Sequence, residues 1–151
     1  MNKYRSNIYN FNNIKFKSRL EVSCYKLLIE AGLNPSYESE KIILWEGFKP
    51  LKISYYSPKK IKRWYFTSLM QKQERVLLSI TYTPDFIVKK DNFIIYFDVK
   101  GLPNDTYPIK KKMFLKYLEN KEDEFNYIFF EPHNIGQIKQ CIQIINNLWK
   151  N

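Results

Sequence analysis

The chain has little histidine and little cysteine, and these scarcities remove several chemistries at once. His133 is the only histidine. Zinc-dependent nucleases, HNH-type nucleases and ribonucleases with paired imidazoles need more than one, and His133 follows Glu131-Pro132 in what reads as an exposed loop. Cys24 and Cys141 fall at core-like positions of expected helices, far from any paired metal spacing. They read as buried apolar groups rather than a disulfide, which fits a reducing, intracellular setting. The chain also lacks a glycine-rich phosphate loop, an internal repeat and a linker between two domains. No apolar run approaches bilayer thickness, and Met1–Asn13 is polar, asparagine-rich and basic, without the apolar centre of a secretory signal. No membrane partner is expected.

What the chain does have is length for one ordinary domain and a strong positive charge. Its 151 residues carry 25 lysines and arginines against 15 acidic groups, a net charge of +10. One domain of this size buries a sizeable core. The charge favours a polyanion, held through phosphate contacts and counterion release, so nucleic acid is the natural partner. A basic membrane-surface protein would share the charge but bring a basic amphipathic helix or a lipidation signal, and neither stands out.

The most informative stretch is Tyr82-Thr83-Pro84-Asp85-Phe86, followed by an apolar run ending in Asp98-Val99-Lys100-Gly101. Phe93-Ile94-Ile95-Tyr96-Phe97 is dense in β-branched and aromatic residues behind the turn signal Asp91-Asn92, so residues 93–100 read as a buried strand. Alternation along a strand puts Asp98 and Lys100 on one face and Val99 on the other. Asp85 sits where Pro84 interrupts a strand, facing the Asp98 strand across a hairpin centred on Lys89–Asn92. Two carboxylates so placed repel unless a cation lies between them, and a hard, oxygen-seeking ion such as Mg²⁺ meets that need. The alternative is that Asp98 and Lys100 merely solvate a strand end.

Elsewhere the chain reads as elements that frame this stretch. Ser18 to Ala31 carries Leu20, Cys24, Leu27, Leu28 and Ala31 at helical spacing, with Gly32 in a C-cap position. Ser18-x-x-Glu21 is also a capping box, so Glu21 has both a capping role and a ligand role open to it. Tyr37-Glu38 and Ile42–Trp45 suggest the first strands of the sheet, with Glu38 a reserve acidic group. An insertion at about 46–75 mixes Lys59, Lys60, Lys62 and Arg63 with Tyr55, Tyr56, Trp64, Tyr65 and Phe66. Such interleaving suits DNA contact, cations on phosphates and rings on bases; the alternative is a hairpin whose rings pack on the sheet. Asp105-Thr106-Tyr107-Pro108 starts a helix with proline in its first turn. Ile109, Met113, Leu115 and Leu118 are its expected apolar residues, and Lys110, Lys111, Lys112 and Lys116 form a basic flank suited to DNA phosphates, the alternative being a merely solvated helix face. Tyr127–Phe130 reads as another buried strand. A final helix over 135–149 has Ile138, Cys141, Ile142, Ile145, Leu148 and Trp149 inward.

Phe16-Lys17-Ser18-Arg19-Leu20-Glu21, then Tyr37-Glu38, YTPDF and DVKG in that order, resemble the phage endonuclease I family of Holliday-junction resolvases, within the PD-(D/E)xK nuclease superfamily. The similarity covers about 16–45 and 80–118. It implies an α/β (α+β) fold with a restriction-endonuclease-like core, a central mixed β-sheet flanked by helices. Residues 1–15 would be a flexible basic segment and 16–151 a single nuclease domain carrying the basic, aromatic, β-rich insertion. By motif position it implies a catalytic set of Glu21, Asp85, Asp98 and Lys100. Glu21, Asp85, Asp98 and the Val99 carbonyl would hold Mg²⁺, for which Mn²⁺ substitutes. The implied activity is endonucleolytic hydrolysis of branched DNA leaving 5′-phosphate ends, by a homodimer, in the cytoplasm, that of the host cell for a phage-encoded chain. A PD-(D/E)xK nuclease of restriction, transposition or general phage DNA processing, and a noncatalytic DNA-binding module, are the alternatives. This chain departs from the family pattern at Asp98, where glutamate is usual, and in the long segment between Trp45 and Val76, where the family has a short inter-lobe bridge.

Overall fold

The computed structural model describes residues 8–56, 70–101 and 106–149. They fall into two compact units, Met1–Ile42 with Tyr82–Asn151, and Ile43–Thr81. The first holds the candidate site.

That unit is a mixed α+β assembly. Its first element is a hairpin of β1 (Tyr9–Phe11) and β2 (Ile14–Phe16), where the sequence reading expects a flexible segment. Asn12 and Asn13 join the strands at φ 48° and 61°. Asparagine tolerates this left-handed region, and two such residues make the turn that matches strand twist. Phe16 then anchors the hairpin with no exposed surface, against the rings of Tyr25 and Tyr37. Helix α1 (Arg19–Glu30) starts at Ser18, whose Oγ accepts from the Glu21 amide at 3.1 Å. It ends as expected at Gly32, which takes φ +74°, a conformation glycine adopts without penalty.

The central sheet has four strands in the order β10-β9-β8-β3. β3 (Pro35–Tyr37) and β8 (Phe86–Lys90) pair antiparallel, as do β8 and β9 (Phe93–Phe97), while β10 (Asn126–Phe130) runs parallel to β9. The β8–β9 turn is Asp91-Asn92, with Asp91 at φ 53°. Strand alternation separates two faces. Phe86, Val88, Ile95, Phe97 and Val99 join Cys24 and Leu28 of α1 and Ile138, Cys141 and Ile145 of α3 (Ile135–Leu148) in one apolar core. On the opposite face Tyr96 and Phe129 meet Phe114 of α2 (Tyr107–Glu119).

Several expectations shift. The regular strand stops at Phe97 rather than 100, although Asp98 N–H and Lys100 N–H still donate to Phe130 O and Pro132 O at 2.9 and 3.2 Å. Tyr127–Phe130 is half-buried, because β10 is the edge of the sheet. On α2, Tyr107 and Phe114 are the buried residues, while Ile109 is 64 % exposed and Leu115 is exposed too. The aromatic spacing therefore selects the buried face. Leu148 of α3 is exposed as well. Both cysteines are free and buried, as the sequence indicates.

β4 (Ile42–Trp45) and β7 (Ile80–Tyr82), of which Ile42 and Tyr82 belong to the first unit and the rest to the second, pair in a two-stranded sheet of their own rather than in the central one. β5 (Tyr55–Tyr56) and β6 (Gln71–Lys72) form another, antiparallel pair. An isolated antiparallel bridge links Phe48 and Leu77. Gly47 permits the close approach there, since a Cβ would stand 2.8 Å from the Leu77 carbonyl oxygen. The run Val76-Leu77-Leu78 is exposed, Leu78 at 86 %.

Candidate active site

The register of the β8–β9 hairpin brings the two motif aspartates together. Phe86 lies opposite Phe97, so one step further along the antiparallel pair Asp85 faces Asp98. Both carboxylates project from the α2 face, since Phe86, Phe97 and Val99 occupy the other. Asp98 has no exposed surface and Asp85 only 7 %.

One ammonium lies with both. Lys100 Nζ is 2.7 Å from Asp98 Oδ1 and 3.9 Å from Asp85 Oδ2. Its side chain keeps 25 % exposure, so the group reaches the surface through lysine. The chain supplies uncharged donors as well. Asp85 Oδ2 accepts from the Val99 amide at 2.6 Å, and Asp98 Oδ2 accepts from the Tyr82 hydroxyl at 2.7 Å. The Tyr107 hydroxyl lies against Asp98 and Glu131, and the Lys100 ammonium stands 4.9 Å from the Tyr107 ring centre.

Electrostatics follow from this enclosure. Burial pushes the Asp85 carboxyl up to about 8; Lys100 opposes the shift, and Asp98 and Glu21 add to it by like-charge repulsion. Burial works against the Lys100 ammonium, but Asp85 and Asp98 outweigh it and hold its pKa above the ordinary lysine value. Burial, followed by Asp98, also holds the Tyr82 phenol well above its ordinary range.

Glu21 lies within electrostatic reach of this pair, at the start of α1. It is 6 % exposed. Its Oε2 accepts from the Tyr37 hydroxyl at 2.7 Å and from the Lys17 amide at 3.0 Å. The capping box therefore closes one residue earlier than the Ser18 amide expected from sequence. Glu38, the reserve acidic group, is ion-paired with Lys17, and its amide donates to Asp85 O at 2.9 Å. Among the described residues, no group of three or more His, Cys, Asp or Glu side chains is disposed to hold a metal ion.

The expected DNA contacts divide. Lys59, Lys60, Lys62 and Arg63 lie outside the described residues. On α2, Lys112 and Lys116 are exposed and Lys110 is half-buried, whereas Lys111 is ion-paired with Glu131. Burial works against the Glu131 carboxylate, but Lys111, Tyr107 and His133 more than offset it and hold its pKa below the ordinary value. His133 is exposed, with Nε2 3.2 Å from Glu131 Oε1. Sequence reasoning overlooked the hydroxyls of Tyr37, Tyr82 and Tyr107 and the carboxylate of Glu131. Glu131 had a legible signal: it follows Phe130 at the end of β10, as Asp98 follows Phe97 on the neighbouring strand.

No helix among the described residues is long and apolar enough to cross a membrane. No curated protein and no solved structure matches the chain. A family model does match, over residues 1–127, a span that includes Glu21, Asp85, Asp98 and Lys100. The chain thus belongs to the family described as Protein of unknown function (DUF1064).

Proposed function

We propose that the chain is a metal-dependent endodeoxyribonuclease with a restriction-endonuclease-like core, acting on branched DNA. The observation that carries this reading is the grouping of Asp85 and Asp98 about one ammonium, Lys100 Nζ, at 3.9 and 2.7 Å. Two buried carboxylates that already hold one cation have the donor chemistry for another.

The donor set suits Mg²⁺. Every donor is a hard oxygen, and Mg²⁺ is commonly bound by one or two carboxylates together with substrate phosphate and water rather than by a closed protein cage. The raised pKa of Asp85 points the same way, because a divalent charge beside it would offset the cost of keeping it ionised. Asp85 and Asp98 would hold the ion with substrate phosphate and water, and the motif resemblance adds Glu21 and the Val99 carbonyl as further ligands. When bound, it supplies polarisation of the scissile phosphate and of the attacking water. Lys100 orients that water or neutralises charge gathering on the phosphate in the transition state. The exposed Lys112 and Lys116 contact backbone phosphates. The resemblance of the motifs supports a four-way junction as the preferred substrate, 5′-phosphate products and a homodimer that makes paired nicks.

The test is nicking with Mg²⁺ on junction, flap and linear DNA, beside Asp85→Ala and Lys100→Ala. Wild type should nick the junction in preference to linear duplex. Asp85→Ala should abolish nicking. Lys100→Ala should lower the rate at least 100-fold while changing junction affinity by less than about tenfold. Sedimentation showing a stable monomer on the junction would remove coordinated resolution.

The enclosure of Asp98 favours one second reading, a noncatalytic DNA-binding module of the same fold. DNA binding without Mg²⁺-dependent nicking on any of the three substrates would establish it.

A further inference from the structure

Each carboxylate of the candidate site has one oxygen engaged by an uncharged donor. Asp85 Oδ2 takes the Val99 N–H, Glu21 Oε2 takes the Tyr37 O–H, and Asp98 Oδ2 takes the Tyr82 O–H. At Asp98 the consequence is sharpest. The side chain is fully enclosed, and its two oxygens differ in partner: Oδ2 faces the Tyr82 phenol at 2.7 Å, and Oδ1 faces the Lys100 ammonium at 2.7 Å, with the Tyr107 hydroxyl also against this carboxylate. An enclosed carboxylate needs its lone pairs met. A phenol meets one of them without adding a positive charge that would compete with a cation.

The Tyr82 ring is itself fixed. It is buried, and its centroid lies 4.5 Å from that of Phe114 on α2. Tyr82 also stands three residues before Asp85, so the segment that presents one aspartate carries the clamp on the other.

Resting on the nuclease reading, we propose that Tyr82 is a positioning residue: its hydroxyl occupies Asp98 Oδ2 and thereby directs Oδ1 to the divalent cation. Carboxylate ligands are commonly oriented by hydrogen bonds of this kind, and loss of such a partner costs 10–100-fold in metal affinity or activity.

Tyr82→Phe keeps the ring and removes the donor. Tyr96→Phe is the control, because Tyr96 also packs its ring on Phe114 and is buried on the same face. The probe is Mn²⁺ alone, without DNA, its binding followed by calorimetry and by the electron paramagnetic resonance of the free ion, well below the melting temperature of every variant. Tyr82→Phe should bind Mn²⁺ about 10–100-fold more weakly than wild type and need correspondingly more Mg²⁺ for half-maximal junction nicking. Tyr96→Phe should match wild type in both. Mn²⁺ affinity of Tyr82→Phe within twofold of wild type, or an equal loss in Tyr96→Phe, overturns the proposal while leaving the nuclease reading in place. Absence of both Mn²⁺ binding and nicking in wild type overturns the nuclease reading and this inference with it.

Discussion

At Asp85 the fold works against ionisation, and the sign of that effect can be measured. The folded chain raises this carboxyl from 3.8 to about 8, chiefly by burial. Between those values the native state binds more protons than the unfolded one, so stability from this group is complete below about pH 4 and is lost as pH rises through about 8. Asp85→Asn removes the dependence. Its melting temperature should equal that of wild type near pH 4 and exceed it by roughly 10–20 °C at pH 9, as read by scanning calorimetry across that range. A difference that does not change with pH would contradict the assignment. The motif led to Asp85, Asp98 and Lys100 standing beside one another: the β8–β9 register brings in Asp85, and the pairing of Asp98 and Lys100 with Phe130 and Pro132 carries the alternation past the end of β9. Tyr37 and Tyr82 were not legible as partners, because a tyrosine's hydroxyl contact depends on where its ring is packed, and the packing partners Phe16 and Phe114 are distant in sequence.

At the level of elements, the fully enclosed ring on α2 is Phe114. Phe114 has no exposed surface, and its centroid lies 4.5 Å from that of Tyr82, 5.2 Å from Tyr96 and 5.6 Å from Phe129. Phe114→Ala should destabilise the chain by about 3–5 kcal/mol in urea denaturation. Because Phe114 also backs the Tyr82 ring, the variant should weaken Mn²⁺ binding at temperatures where it remains folded. The sequence placed the helix start correctly at Thr106-Tyr107-Pro108, since proline's fixed φ suits a first turn. Of the apolar residues it named, Met113 and Leu118 are half-buried while Ile109 and Leu115 are exposed. The large rings at Tyr107 and Phe114, seven residues apart, bury more area per residue and decide the orientation. The β1–β2 hairpin was missed for another reason: a polar, asparagine-rich composition reads as disorder until Asn12-Asn13 is recognised as the turn between two short alternating strands.

For the whole molecule, the proposed DNA partner combined with a net charge of +10 predicts binding dominated by electrostatics. Affinity for linear duplex should fall linearly on a log–log plot against salt. A face contacting at least four phosphates gives a slope of roughly −4 or steeper in a fluorescence titration. Lys112→Ala with Lys116→Ala should reduce the steepness by about 1–2 units, whereas Lys111→Ala should change it less, because Lys111 is already paired with Glu131. The division into two units also belongs to this scale. Residues 46–75 stand out in sequence by their lysines, prolines and rings, but the compact unit they join extends over Ile43–Thr81, because β4 pairs with β7 rather than with the central sheet.

Alternation, turn chemistry and charge act over a few residues, so the sequence by itself determined the helices, the β8–β9 hairpin, the pairing of Asp98 with Lys100 on one face and the basic character of the chain. Tertiary structure alone decided which oxygen of each carboxylate is held, how deeply Asp98 is enclosed, and that Lys111 is paired with Glu131. Those features depend on contacts between residues far apart in the chain, where burial and hydrogen-bond geometry are set by packing that no local pattern encodes.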